Sequence, residues 1–157
     1  MTTSPATRDI ADPSDETIDR LAEVVGPEHV LSSRADRLAY NADCSPRGII
    51  LARGRRLEAS LPTLIVQPGD CEEVAAVVEA ARRLDLWLIP YGAGSGVCRG
   101  AVAGAGDSRR ASNPREVVIV DLKRMSGIER VDSDAALARV GAGMIGEHFE
   151  TELNRLG

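Results

Sequence analysis

Thr63-Leu64-Ile65-Val66-Gln67 is a short apolar run closed by Pro68-Gly69, which reads as a strand. Asp70 stands where it can cap a following helix, and Glu73, three residues on, would complete a capping box. Cys71, Val74, Val78 and Ala81 recur at helical spacing, with Val77 and Leu84 beside them, so this helix should bury that stripe. Leu86-Trp87-Leu88-Ile89-Pro90 is a returning strand. Strand, helix and strand at these lengths predict a βαβ crossover with parallel strands.

Working outward, a glycine-rich stretch from Gly92 to Gly106 and a polar segment from Asp107 to Arg115 follow the unit. Val117-Val118-Ile119-Val120-Asp121 is a buried strand, and Ala136 to Val140 is another. Ile145, Phe149, Leu153 and Leu156 then recur at helical spacing, with Gly157 in the place of a C-cap. Upstream, Ile18, Leu21, Ala22 and Val25 mark a helix stopped by Gly26-Pro27, and a second short helix covers Arg34 to Tyr40. Residues 1–16 read as a disordered leader of Thr, Ser, Pro and Asp. Asn41 to Ser60 reads as a long connection; its arginines (Arg47, Arg53, Arg55, Arg56) form either a solvated loop or a hold for an anionic substrate.

With 157 residues, 43% apolar and 27% charged, the chain has the make-up of one globular domain. Nineteen Lys and Arg against 24 Asp and Glu leave a net charge of −5, which excludes the basic footprint that nucleic-acid binding needs. No apolar run approaches the ~20 residues of a membrane span. The three cysteines, Cys44, Cys71 and Cys98, form no CxxC pair, so a reducing cytoplasm is expected. His29 and His148 have no ligand-type partner at metal spacing, and no metal site is expected.

The functional signal is Pro90-Tyr91-Gly92-Ala93-Gly94-Ser95-Gly96-Val97-Cys98-Arg99-Gly100. Alternate glycines let successive N–H groups converge on an anion, and Ser95 adds a hydroxyl donor. A Walker loop is ruled out, since no Gly-Lys-Ser/Thr occurs. A Rossmann fingerprint fails at Val97 or Arg99, depending on where it starts. From the spacing alone, a glycine-rich linker between two lobes is the alternative. Cys98 beside Arg99 reads as a small residue in a tight loop, or as a reactive thiolate.

Beyond these local patterns, the chain from Thr17 onward resembles the N-terminal part of vanillyl-alcohol-oxidase-type (PCMH-type) FAD-binding flavoproteins. It is most similar to the branch that holds the glycolate oxidase FAD subunit, D-lactate dehydrogenases and alkyldihydroxyacetonephosphate synthase. The matching stretches are Val24 to Leu31, Leu38 to Asp43, Leu61-Pro62-Thr63, Val66-Gln67-Pro68 and Glu72-Glu73-Val74. Pro90 to Gly96, Val120 to Met125 and Val140 to Gly143 follow in the family's order.

The resemblance implies an α+β fold, a PCMH-type FAD-binding domain over residues 17–157, with a first lobe at about 17–91 and a second begun at about 117–157 but truncated. It implies that Pro90, Tyr91, Gly92, Ala93, Gly94, Ser95 and Gly96 cradle the FAD pyrophosphate, non-covalently since the loop has no histidine. Arg99 stands where the family commonly has glycine, and Gly104 to Arg115 is longer than the usual link. The implied parent is an FAD-dependent oxidoreductase of a 2-hydroxy acid or similar small substrate. Its catalytic groups are expected beyond Gly157, so the chain alone would be inactive. A sheet cut in mid-lobe would also favour association with another copy or a partner subunit. The other readings are a non-catalytic flavin- or phosphate-binding module and a structural lobe of a multi-subunit complex.

Overall fold

The computed structural model describes residues 12–54, 61–103 and 115–156. The expected leader up to residue 11, Arg55 and Arg56, the insert over 104–114 and the Gly157 cap lie outside the described residues.

Four strands form the main sheet: β1 (Val30–Leu31), β2 (Leu64–Val66), β3 (Trp87–Tyr91) and β4 (Val117–Asp121). Their spatial order is β1-β2-β4-β3, with β2, β4 and β3 parallel and β1 antiparallel at one edge. The βαβ unit is therefore present, but its two strands are not neighbours. β4, expected to open a second lobe at Val117, instead lies between them, with Ile119 opposite both Ile65 and Ile89. Its position follows from its composition. Val118, Ile119 and Val120 are apolar on both faces, which suits a central strand covered on both sides.

Leu64, Val66, Val118 and Val120 face one layer, where they pack with Leu21, Val25, Val77 and Ala80. Ile65, Ile89, Ile119 and Tyr91 face the other, against Ala103 and the partly buried Leu31 and Tyr40. The first layer comes from α1 (Asp15–Val25) and α4 (Cys71–Leu84). Ser14 caps α1, its Oγ accepting from the Thr17 N–H, and its own N–H reaches Glu116 at 2.8 Å, so ordered structure starts inside the expected leader. Of the expected stripe Cys71, Val74, Val78 and Ala81, only Ala81 is among the buried residues of α4, which are Val77, Ala80 and Ala81; Cys71 is exposed and Val78 is 53% exposed. Asp70 caps this helix as expected, but Glu73 takes the N–H of Gly69, one residue further back. Arg124, which bonds the Gln67 carbonyl and Glu73, draws the carboxylate that way.

The second layer begins with α2 (Arg34–Ala39), capped by Ser33, and α3 (Pro46–Arg53), which lies within the expected long connection. Ser45 Oγ accepts from the Gly48 N–H at 2.9 Å, and Pro46 occupies the first turn, where a missing N–H costs nothing. No amphipathic stripe announces α3, because Ile49 and Ile50 are exposed.

Beyond β4, β5 (Ile128–Asp132) and β6 (Leu137–Val140) pair antiparallel as a separate two-stranded sheet, and α5 (Gly146–Leu156) ends the described chain. Their seam with the first sheet runs through two glycines. Gly141 N–H donates to Gly127 O at 2.8 Å, and Gly143 N–H to Met125 O at 2.9 Å. A Cβ on Gly143 would overlap the Leu122 carbonyl. Gly143→Ala should therefore lower stability by about 1–3 kcal/mol, or more where the backbone cannot shift. Gly127→Ala, where a Cβ meets nothing within 4 Å, should stay within about 0.5 kcal/mol. Urea unfolding midpoints of the two variants check this, and equal midpoints would disprove the seam.

Candidate functional site

The parallel strands β2, β4 and β3 end side by side, and in open α/β sheets ligands bind outside the carboxyl ends of such strands. Gln67, Asp121 and Tyr91 occupy those ends, and the glycine loop leaves directly from Tyr91. Pro90 and Tyr91 are thus the last two residues of β3, and Gly92 to Gly96 form the loop proper.

Gly94 adopts φ +69°, and a Cβ there would overlap the Tyr91 hydroxyl beneath it. Gly92 and Gly96 instead face open space on the Cβ side, which lets a ligand approach the main chain closely. Among the described residues, no protein acceptor takes the N–H groups of Gly92 to Cys98. Ala93, Ser95 and Val97 are exposed along the same loop. Glycine backbone without Cβ on its open side, and donors with no internal partner, are what a pyrophosphate cradle requires, so these residues fit such a group.

Two side-chain groups hold the loop, and the sequence reading named neither as part of the site. The first centres on Asp121, which is fully buried. Its Oδ2 accepts from the Tyr40 hydroxyl at 2.6 Å and Gln67 Nε2 at 2.9 Å, with Lys123 Nζ at 3.4 Å, and its Oδ1 accepts from the Lys123 N–H at 3.1 Å. Lys123 Nζ also lies 4.6 Å from the centre of the Tyr40 ring and 5.2 Å from that of Tyr91. The two rings pack tilted, with centroids 4.9 Å apart. Asp121 to Met125 had read as a strand end and turn, and the turn is there, closed by the Met125 N–H on Leu122 O. Its charges, however, are turned inward to partners.

The second group is Asp43-Cys44-Ser45. Cys44 N–H donates to Gly96 O at 3.0 Å, and Arg99 N–H donates to Asp43 Oδ2 at 2.7 Å. Burial tends to raise the Asp43 pKa, but hydrogen bonds from the Ser45 hydroxyl and the N–H groups of Ser45 and Arg99 outweigh it and hold the carboxyl below its ordinary value. Tyr40 and Asp43 lay within the Leu38 to Asp43 stretch of the resemblance, whereas Ser45 lay outside it, and Ser45 ahead of Pro46 was the available signal. Cys98 is exposed.

Residues 62–157 match the family model described as an FAD binding domain, and the chain belongs to that family. FAD is the family's cofactor. The alkyldihydroxyacetonephosphate synthase of Dictyostelium discoideum is 28% identical over 131 residues, covering 83% of this chain and 20% of that protein. The enzyme of the same name from Trypanosoma brucei brucei is 21% identical over 140 residues, covering 89% and 22%. The chain thus spans about a fifth of these relatives' length. A solved structure of an alkyldihydroxyacetonephosphate synthase aligns with a TM-score of 0.81 at 26% identity, covering 95% of this chain and 26% of the other. The structure of p-cresol methylhydroxylase with substrate bound shares the fold, with a TM-score of 0.70 at 19% identity over 93% of this chain and 26% of the other. The PCMH-type α+β fold implied by the resemblance is the fold of this chain. Of the three enzyme kinds that the resemblance grouped, these relatives carry the name of one, alkyldihydroxyacetonephosphate synthase.

Both tyrosines of the chain lie in the site, which makes their ionisation directly readable. Burial, then the hydrogen bond to Asp121 and its charge, push Tyr40 well above the ordinary phenol value; burial and the charge of Asp121 raise Tyr91 too. A phenol whose pKa is raised by folding contributes stability that is whole below about pH 10 and lost as the pH climbs through the raised value. Folded protein just above pH 10 should show clearly less tyrosinate absorbance than urea-unfolded protein at the same pH, in which about half of the phenol or more is ionised. Half-ionisation near pH 10 in the folded protein would overturn this placement of the rings.

Proposed function

We propose that the Gly92–Gly96 loop holds the pyrophosphate of a non-covalently bound FAD, as the front part of an FAD-dependent enzyme. The observation that carries this reading is the run of N–H groups from Gly92 to Cys98 without an acceptor among the described residues, at the carboxyl ends of the parallel strands. When bound, FAD supplies a ring system that accepts and returns a hydride equivalent.

Each residue of this chain has a binding or orienting part in that reading. Pro90 and Tyr91 fix where the loop leaves the sheet. Gly92, Gly94 and Gly96 allow the main chain to approach the phosphates, with Ala93 between them small enough not to obstruct it. The Ser95 hydroxyl is a further donor. No loop cation is needed, because main-chain N–H groups carry the interaction. The same reading treats residues 17–157 as FAD-binding domain throughout.

Two substrate classes follow. The resemblance implied a small 2-hydroxy acid, whereas the relatives' name specifies synthesis of an alkyldihydroxyacetonephosphate. The 28% identity to the Dictyostelium enzyme favours the second. Three unpaired, exposed cysteines fit a reducing cytoplasm, and among the described residues no helix is long and apolar enough to cross a membrane.

A titration of the isotope-labelled chain followed by amide NMR tests the cofactor reading even at weak affinity. FAD should shift the Gly92 to Cys98 amides, and riboflavin, which has no phosphate, should not. Gly94→Val should weaken the FAD response about tenfold or more, from backbone strain and overlap with Tyr91. Equal shifts from riboflavin, or shifts confined to other parts of the chain, would overturn the assignment.

A further inference from the structure

Arg99 is the residue of the loop region whose backbone is least at ease. Its φ is +61°, the left-handed region that side chains other than glycine's rarely enter. The strain has a visible counterweight. The Arg99 N–H donates to Asp43 Oδ2 at 2.7 Å, a charge-assisted bond, and Asp43 is only 7% exposed. The carboxylate is itself fixed from below, because its Oδ1 accepts from the Ser45 hydroxyl at 2.6 Å and the Ser45 N–H at 3.2 Å. Ser45 in turn caps α3 through the Gly48 N–H. Gly48 cannot carry a side chain there, since a Cβ would lie 2.8 Å from Asp43 Oδ1. Next to it, Cys44 N–H holds Gly96 O. One short segment therefore grips the loop at Gly96 and at Arg99, and it is bolted to the first turn of a helix.

We propose that Asp43 is the positioning residue of the glycine loop: its carboxylate stabilises the left-handed turn at Arg99 and thereby sets where the anion cradle ends. The inference rests on the reading of Gly92 to Gly96 as a pyrophosphate cradle. In it, the Arg99 N–H is spent on Asp43 and unavailable to a ligand, so the donors offered to phosphate stop at Cys98. The Arg99 guanidinium adds only a charge attraction to the Asp43 carboxylate, ranked behind the hydrogen bonds that hold it. What matters at 99 is the backbone angle, which glycine would adopt without help.

Amide exchange of the full chain, read at Cys44, tests this. The acceptor of that N–H is the Gly96 carbonyl, which none of the substitutions removes. In Asp43→Ala, exchange at Cys44 should rise about tenfold or more, as expected for losing a hydrogen bond to a charged group, while Ile65, Ile89 and Ile119 keep their protection. Adding Arg99→Gly to that background should restore much of the Cys44 protection, because the turn no longer needs the carboxylate; a merely fold-wide role of Asp43 would show no such rescue. If Asp43→Ala does not fold, Asp43→Asn, which keeps an acceptor but not the charge, carries the same test with a smaller rise. Unchanged Cys44 exchange, or a loss that spreads to the strands and that Arg99→Gly does not repair, would overturn the proposal. FAD shifts at Gly92 to Cys98 with no effect of the Asp43 variants would count against the clasp alone. A clasp effect without any FAD response would count against the cradle alone.

Discussion

Taking a carboxylate fully out of water costs several kcal/mol even after the protein relaxes, so the Asp121 side chain at the end of the central strand must be compensated on every side. Tyr40 arrives from α2, Gln67 from the end of β2, and Lys123 from the turn that follows β4. Each donor belongs to a different element, so satisfying the charge also registers those elements against one another. The Lys123 ammonium then lies against the Tyr40 and Tyr91 rings, and Tyr91 underlies Gly94. The loop's geometry is in this sense inherited from the burial of one charge. A cluster of this kind is costly when half satisfied, because a missing partner leaves a buried group exposed to the low local dielectric.

Neither tyrosine is poised to act as a base near neutral pH, since both are held protonated above the ordinary phenol range. Their work is mechanical. In the proposed reading the reaction chemistry is the flavin's, and the part of this loop is to hold its phosphates. A cradle of main-chain N–H groups suits that task because its donors are fixed by the backbone and do not titrate.

How far this was legible in the sequence depends on the kind of signal. Leu64-Ile65-Val66 and Leu86 to Ile89 are apolar without interruption, and the Asp70 cap is local, so the βαβ unit could be read from neighbours along the chain. That β4 inserts between its strands could not, because the pairing of Val118 with Leu64 and Leu88 depends on surfaces far apart in sequence. The buried stripe of α4 is turned toward Val77 and Ala80, leaving the apolar Cys71 and Val78 on the exposed side, which periodicity alone does not distinguish. Helix α3 carries no apolar periodicity, and its one local sign in the sequence is the cap at Ser45-Pro46. The glycine loop stood out by composition, whereas its supports did not: nothing in Asp43 or Asp121 as letters distinguishes a buried acceptor from a solvated charge.

The strand order also has a temporal side. β2 and β3 make no ladder with each other; each hydrogen-bonds to β4, which follows both in the chain. On a ribosome, the first two parallel strands must therefore wait, with their central edges unmet, until residues 117–121 have left the exit tunnel. Until then α1 and α4 can pack only on each other and on strands that still lack their central partner. Non-local pairings of this sort are slow to form, and transiently unpaired strands are open to the wrong partner. The nascent chain is consequently most vulnerable over the interval between synthesis of Tyr91 and synthesis of Asp121, an interval that the polar insert over 104–114 lengthens.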